Sequence, residues 1–94
     1  MAFQIRHSEF GVFQGEFLGM GFWHPSSDMP EVGLARYETK EDAQREIDFM
    51  CSDRCASPEA YRGKLAIEPF DEELNAICEA LKNVLKQNGG KYHQ

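Results

Sequence analysis

The side chains best suited to hold a metal ion in this 94-residue sequence are three cysteines and three histidines, at Cys51, Cys55, Cys78, His7, His24 and His93. Structural zinc sites usually carry two closely spaced ligand pairs, one at each end of the motif. Only Cys51 and Cys55 form such a pair, whereas Cys78 falls on an apolar helix stripe, where a free cysteine behaves as a small buried hydrophobe. The sequence therefore predicts no metal site and no cofactor.

A nucleophilic catalytic site would have to combine Cys55 or Ser26 with His24 and Asp28. Such a site needs the nucleophile and its base within hydrogen-bond reach, with a third group that orients the base. His24 and Asp28 lie in a short loop rich in proline, which is poorly suited to hold that geometry. Because no nucleophile elbow, zincin helix or phosphate-binding loop is present, the sequence predicts a protein without enzymatic activity.

The charge balance limits the class of partner. Ten basic and sixteen acidic side chains give a formal net charge of -6 and an isoelectric point near 4.9. Nucleic-acid-binding surfaces are usually basic, and anionic membranes repel an acidic chain, so direct binding to either is not expected. No stretch approaches the roughly 20 apolar residues of a membrane span. A protein partner with a basic surface fits this charge.

Much of the acidity is concentrated in residues 38–53. Catalytic carboxylate pairs need contrasting environments in a cleft, and one helix face does not provide them. A solvated helix face is the simpler interpretation of this segment. The alternative is an anionic surface that meets arginine or lysine residues of a partner. On that alternative, the partner-binding carboxylates are Glu38, Glu41, Asp42 and Glu46.

An aromatic hairpin offers a second candidate surface. Phe22 and Trp23 are neighbours and therefore point to opposite sides of a strand. If Phe22 joins the core, then Trp23 is left on the outer face together with Leu18 or Met20, and such residues are enriched in interface cores. The alternative is that the loop after Trp23 folds over its ring. The candidate partner-binding residues here are Leu18, Met20 and Trp23.

The first third of the chain has the pattern of a β-meander. Phe3 and Ile5 alternate with polar residues, and the aromatic residues of 11–17 and 20–24 suit a pleated sheet. A further short strand is predicted over residues 32–37. Residues 64–68 are predicted as an edge strand or an extended connection.

Two capped helices are expected to follow. Thr39 and Asp42 form an Asp version of the capping box for a helix over 39–52. Asp71 caps a second helix over 71–88, whose apolar residues fall on one stripe. That stripe consists of Leu74, Ile77, Cys78, Leu81 and Leu85.

These elements predict an α+β fold, in which an antiparallel meander of three to four strands has two main helices packed on one face. A hydrophobic fraction of 41% is enough for one folded unit of 94 residues. We expect a single domain over 1–94, made of a meander (1–37), a helix (39–52), an irregular segment (53–70), a second helix (71–88) and a frayed tail (89–94).

The first seven residues have neither the basic region nor the apolar region of a signal peptide. An odd number of cysteines cannot pair completely within one chain, and free thiols fit a reducing compartment. The sequence therefore predicts a cytoplasmic protein.

A glycine-punctuated aromatic hairpin (Phe10-Gly11-Val12-Phe13-Gln14-Gly15, then Gly21-Phe22-Trp23) precedes the acidic helix that begins Thr39-Lys40-Glu41-Asp42-Ala43. In this layout the chain resembles small phage and mobile-element proteins, and in size and acidity it is similar to anti-CRISPR inhibitors. That group shares no single signature, so no residue role is carried over. The resemblance implies a compact protein that occupies the nucleic-acid or partner surface of a host complex.

The sequence thus predicts a non-enzymatic acidic protein that binds a larger, basic or nucleic-acid-binding complex and inhibits or modulates it. The alternative is a small structural subunit or homodimer that completes its sheet through an open edge.

Overall fold

The computed structural model describes residues 1–17, 20–27 and 33–87. Its strands are β1 (Phe3–His7), β2 (Gly11–Phe17), β3 (Met20–Pro25) and β4 (Leu65–Pro69). The helices are α1 (Lys40–Met50) and α2 (Glu72–Gln87), and a single 3-10 turn spans Pro58–Ala60. The strands form one antiparallel sheet in the order β3-β2-β1-β4. The predicted α+β class is confirmed.

The fourth strand is not the one expected over residues 32–37. The described part of that segment makes one isolated bridge, between Tyr37 and Phe3, and the amide of Ala35 donates to the Phe13 carbonyl at 2.9 Å. These bonds form because β1 and β2 pair only at Arg6↔Val12 and His7↔Gly11. Residues 35–37 therefore bond to both strands where the two no longer pair, while residues 65–69 form the fourth strand.

One face of the sheet carries the larger apolar cluster, which α1 covers. Ala43 and Met50 of α1 are buried against strand residues from β1, β2 and β3, namely Ile5, Phe13 and Trp23. Leu65 and Ile67 of β4 extend the cluster at its edge. Burial of such side chains contributes about 1.5–3 kcal/mol each, so this cluster holds the sheet and α1 together.

The second helix belongs to a separate cluster. Cys78 of α2 is buried with Val12 and Leu34, and Phe70 packs at its edge. Val12 and Phe13 are consecutive residues of β2 and point to opposite faces of the sheet. It follows that α1 and α2 lie on opposite faces, which differs from the expected packing of both helices on one face. Apolar periodicity identifies an inward stripe on each helix, but it does not identify the face that the stripe covers.

Both helices begin at the caps that the sequence predicts. The Thr39 hydroxyl accepts a hydrogen bond from the Asp42 amide at 3.1 Å. The Asp71 carboxylate accepts one from the Leu74 amide at 2.9 Å. Because each cap satisfies an amide that has no partner within its helix, these two residues fix where the helices start.

Gly11 joins β1 to β2 at a position that excludes any side chain. Its φ is 105°, and a Cβ atom there would overlap the backbone carbonyl of His24 on the neighbouring strand. We expect Gly11→Ala to lower the free energy of unfolding by about 3 kcal/mol or more in urea denaturation. Gly63→Ala is the matched control, since Gly63 also has a positive φ (74°) but no atom within 4 Å of a built Cβ. Equal losses of unfolding free energy in both variants would show that the overlap with the His24 carbonyl does not contribute to the destabilisation.

Candidate functional site

The two helices start beside the same end of β1. The backbone of Phe3 exchanges two hydrogen bonds with Tyr37, of 2.8 and 3.0 Å, just before α1. On the other side of the strand, the Phe70 amide donates to the Ala2 carbonyl at 2.9 Å, just before α2. The amide of Asp71 donates to the Gln4 side chain at 2.9 Å. The first turns of α1 and α2 therefore share one end of the molecule.

Arg36 links Glu38, which lies just before α1, to Glu72 in the first turn of α2. Its Nε lies 3.4 Å from the Glu38 carboxylate, and its Nη1 lies 3.2 Å from the Glu72 carboxylate. The guanidinium group also lies over the Phe70 ring, 4.9 Å from the ring centroid, which orients the side chain between the two acids. Carboxylates that are distant in sequence are thus neighbours in space.

We call the carboxylates at this end of the molecule the acidic end, and define it as Glu38, Glu41, Asp42, Asp71, Glu72 and Glu73. The basic residues beside them are Arg36, which precedes α1, Lys40 in the first turn of α1, and Arg45, which pairs with Asp42 from the next turn. The described residues therefore place more negative than positive charge here. The positive end of each helix dipole stabilises acids in the first turn, so the fold tolerates this charge density.

The carboxylates of the acidic end are accessible to a partner. The Glu38 and Glu72 side chains are 76% and 69% exposed, although both lie near Arg36. Exposed ion pairs of this kind contribute only about 0–1 kcal/mol, because water and salt screen them. A cationic side chain of a partner can therefore compete for these carboxylates at little cost.

Glu46 differs from the other carboxylates predicted to bind a partner, because it takes part in the packing of α1. It is half-buried, and its carboxylate accepts a hydrogen bond from the Tyr37 hydroxyl at 3.4 Å. Burial first, and then the charge and hydrogen bond of Glu46, raise the pKa of Tyr37. Glu46 consequently holds Tyr37 against α1 and is not included in the acidic end.

Trp23 does not lie on the outer face of the sheet. Its side chain is 3% exposed, and its ring centroid lies 4.8 Å from that of Phe13 and 5.8 Å from that of Tyr61. The assignment of Trp23 to an exposed partner-binding surface is therefore wrong. The rings of Phe13 and Tyr61 pack against it, and residues 28–32 of the loop expected to cover it lie outside the described residues. Its strand neighbour on the opposite face, Phe22, is also partly buried, so one strand contributes apolar residues to both faces.

The other residues of the predicted aromatic surface have different outcomes. Met20 is 64% exposed at the start of β3, as expected for a surface residue. Leu18 lies outside the described residues. Met20 therefore remains a candidate contact, whereas Trp23 is buried.

His7, one of the residues that suggested a metal site, serves the fold. Both ring nitrogens of His7 are engaged by backbone groups of Glu9, Phe10 and Ala60. The three cysteines carry free thiols, and Asp28 lies outside the described residues. Within residues 1–17, 20–27 and 33–87, no three histidine, cysteine or acidic side chains are arranged to hold a metal ion.

No match to this chain is found among protein-family models, curated proteins or solved structures. In the part of the chain that the structure describes, no helix is long and apolar enough to cross a membrane.

The contribution of residues 71–73 to the site could not be identified from the sequence. The sequence does show acidic residues in the first turns of both α1 and α2. What was missing is the topology that starts both helices beside β1, together with the position of Arg36 between them. Two acidic first turns in one chain are the only sequence signal for such a site.

Proposed function

We propose that this protein is a non-enzymatic binding protein, whose acidic end docks on a basic surface of a larger nucleic-acid-binding complex and inhibits or modulates that complex. The observation that carries the proposal is the convergence of two acidic helix starts on one end of the molecule, with Arg36 between Glu38 and Glu72. A single helix face would offer one row of charge. Two helix starts offer a broader surface that can meet several cations together.

Charge supports a basic partner in two ways. The net charge of -6 steers the chain toward positive potential and accelerates the encounter. The exposed acids of the two first turns then provide local complementarity, because arginine and lysine donate charge-assisted hydrogen bonds to carboxylates. Surfaces that bind nucleic acid carry such cations in rows, so an anionic protein can occupy them in place of phosphates.

The proposed mode of action is competition. A protein that covers the cations of a nucleic-acid-binding surface needs neither a catalytic group nor a cofactor, and this fits the assignment of His7 to the fold. The resemblance to anti-CRISPR inhibitors points to the same mode, and to the host cytoplasm, where the thiols of Cys51, Cys55 and Cys78 stay reduced.

Affinity capture from a bacterial lysate tests the proposal through the charge of the acidic end. The test variant combines Glu38→Lys, Glu41→Lys and Glu73→Lys, which reverse three exposed acids. We expect the wild-type protein to retain a basic, nucleic-acid-binding complex that the variant does not retain. Exposed charge pairs are screened over about 8–10 Å at moderate salt, so capture should also weaken as salt rises.

A matched control reverses three acids elsewhere, as Asp48→Lys, Asp53→Lys and Glu59→Lys. This variant has the same net charge as the test variant, but its changes lie outside the two first turns. Retention of the complex by the control, and its release by added single-stranded nucleic acid, would support the proposal. If both variants lose the complex equally, binding depends on net charge alone and not on the acidic end, which contradicts the proposal. A stable ternary complex of this protein, its partner and nucleic acid would contradict competition for one surface.

A further inference from the structure

One glutamine of β1 is completely buried. Gln4 is 0% exposed, although the alternation of β1 predicts it on the polar side of the strand. Ile5 packs in the cluster that α1 covers, so Gln4 points to the opposite face of the sheet, where α2 lies. A buried amide is costly unless its nitrogen and its oxygen both form hydrogen bonds, so the partners of Gln4 identify its role.

Both ends of the Gln4 side chain form hydrogen bonds. Its Nε2 donates to Oε2 of Glu68 on β4 at 2.9 Å, and its Oε1 accepts a hydrogen bond from the Asp71 amide at 2.9 Å. The other carboxylate oxygen of Glu68 pairs with Arg6 Nε at 2.6 Å. The carboxylate requires a donor and the amide requires an acceptor, so the two partners fix the orientation of the Gln4 side chain.

Asp71 is the residue that caps the start of α2. Its carboxylate accepts a hydrogen bond from the Leu74 amide at 2.9 Å, and its carbonyl accepts one from the Asn75 amide at 3.0 Å. The amide of a capping residue has no partner within its own helix. Gln4 provides an acceptor for this amide and thereby attaches the start of α2 to β1.

Consecutive residues of β1 thus hold the starts of both helices. Phe3 holds the chain before α1 through its two backbone hydrogen bonds with Tyr37. Gln4 holds the residue before α2 through its side chain. Any residue type can form backbone bonds in a strand, whereas the bond to Asp71 needs a side chain with an acceptor at this reach. The position of α2 relative to α1 therefore depends on which residue follows Phe3.

We propose that Gln4 is a positioning residue of the acidic end, which holds the first turn of α2 beside the first turn of α1. Because Gln4 is buried, it acts through Asp71, whose position determines where Glu72 and Glu73 lie. An apolar side chain of similar size would fill the same space without attaching α2. The effect of Gln4 on partner binding rests on the proposed function, whereas its effect on the geometry of the acidic end does not.

Distances between spin labels test the positioning without a partner. Nitroxides at Glu41→Cys and Glu73→Cys, two exposed positions, report on the first turns of α1 and α2. The background replaces the two half-exposed thiols, as Cys51→Ser and Cys55→Ser, and the buried Cys78 stays unlabelled. We expect one narrow distance distribution in this background, measured by pulsed electron resonance.

Gln4→Met is the test variant, because it keeps a side chain of similar size and removes both hydrogen bonds. It should broaden the distance distribution and shift its mean. Met50→Ala is the control for lost stability, since Met50 is buried at the far end of α1, and it should leave the distribution narrow. An unchanged distribution in Gln4→Met, or equal broadening in both variants, overturns the proposal.

Exchange of the two hydrogen-bonded side chains gives a second test. Gln4→Glu keeps an acceptor for the Asp71 amide but sets a carboxylate against that of Glu68. The distribution should broaden where both carboxylates are ionised and narrow again as the pH falls and the pair takes up one proton. Adding Glu68→Gln restores one donor and one acceptor at the wild-type net charge, so the double variant should recover the narrow distribution. A space-filling role does not predict this rescue, and a double variant that stays broad at every pH overturns the proposal.

The complex captured from the bacterial lysate tests the consequence for binding. Its dissociation constant should rise roughly 10-fold with Gln4→Met and return toward the wild-type value with Gln4→Glu and Glu68→Gln combined. The role of Gln4 in binding is overturned if the complex binds Gln4→Met as tightly as the wild type but loses the variant with Glu38→Lys, Glu41→Lys and Glu73→Lys. A complex that binds that charge-reversed variant as tightly as the wild type contradicts the proposed function instead, and the label distances still decide the positioning.

Discussion

Trp23→Ala is expected to lower the free energy of unfolding by about 3–5 kcal/mol, the usual cost of removing a buried aromatic side chain. The ring lies in the larger apolar cluster with Ile5 and Phe13, between the sheet and α1. Removing the ring therefore removes packing contacts from both the sheet and α1. Urea denaturation, followed by circular dichroism, measures the loss.

Met20→Ala is the matched control for Trp23, because it truncates an exposed side chain on the same strand. Its effect should stay within about 0.5 kcal/mol, as for most surface changes. Trp23→Phe should lie between the two, since it keeps an aromatic ring in the cluster. A Trp23→Ala variant as stable as Met20→Ala would mean that Trp23 is a surface residue, contrary to the structure.

His7→Ala should destabilise the fold by about 3–4 kcal/mol, through lost packing and lost hydrogen bonds. The buried ring accepts hydrogen bonds at Nδ1 from the amides of Glu9 (3.0 Å) and Phe10 (3.1 Å). Its Nε2 lies 2.7 Å from the Ala60 carbonyl, so Nε2 carries the hydrogen and donates it. The ring also stacks on Phe10 with a centroid distance of 3.9 Å. His7 therefore joins the β1–β2 turn to the 3-10 turn before β4.

His7→Phe separates the two contributions to this effect. It keeps an aromatic ring beside Phe10 but leaves two amides and one carbonyl without their partner, so most of the loss should remain. The amides of Glu9 and Phe10 should exchange hydrogen faster in both variants, as measured by nuclear magnetic resonance. A His7→Phe variant with wild-type stability would show that the hydrogen bonds contribute little. Wild-type stability in His7→Ala would contradict the whole assignment.

The elements that local chemistry determines were predictable from the sequence. Thr39 and Asp71 cap their helices as expected, and the strands over 11–17 and 20–25 match the aromatic pattern closely. Capping and alternation act over a few residues, so a single sequence contains enough information to place them. The β4 strand was only partly predicted, because an edge strand and an extended connection share one pattern.

Long-range packing was not predictable in the same way. A short strand was predicted over residues 32–37, but residues 35–37 make only single connections to β1 and β2, and these depend on where those two strands stop pairing. Trp23 and Phe22 contribute to opposite faces, and both faces are partly covered because α1 and α2 lie on opposite sides. The expectation that one of the two residues must be exposed depended on a sheet with one open face.

The candidate site, too, was predictable from the sequence only in its local parts. The acids of α1 were visible as a group in the sequence, but their neighbours Asp71, Glu72 and Glu73 are separated from them by the 3-10 turn and β4. Only the antiparallel pairing of β1 with β4 returns the chain to the start of α1. The apolar stripe predicted for α2 is only partly inward, since Cys78 is buried while Ile77 and Leu81 are 56% and 41% exposed. Periodicity alone assigns every member of such a stripe to the core.

The measurement that tests the central claim most directly is the affinity of the captured complex for three proteins at moderate salt. These are the wild type, the variant with Glu38→Lys, Glu41→Lys and Glu73→Lys, and the control with Asp48→Lys, Asp53→Lys and Glu59→Lys. Docking through the acidic end predicts a dissociation constant about 100-fold higher for the first variant, with a much smaller change for the control. Equal affinities of the two variants, both folded, would contradict docking through the acidic end.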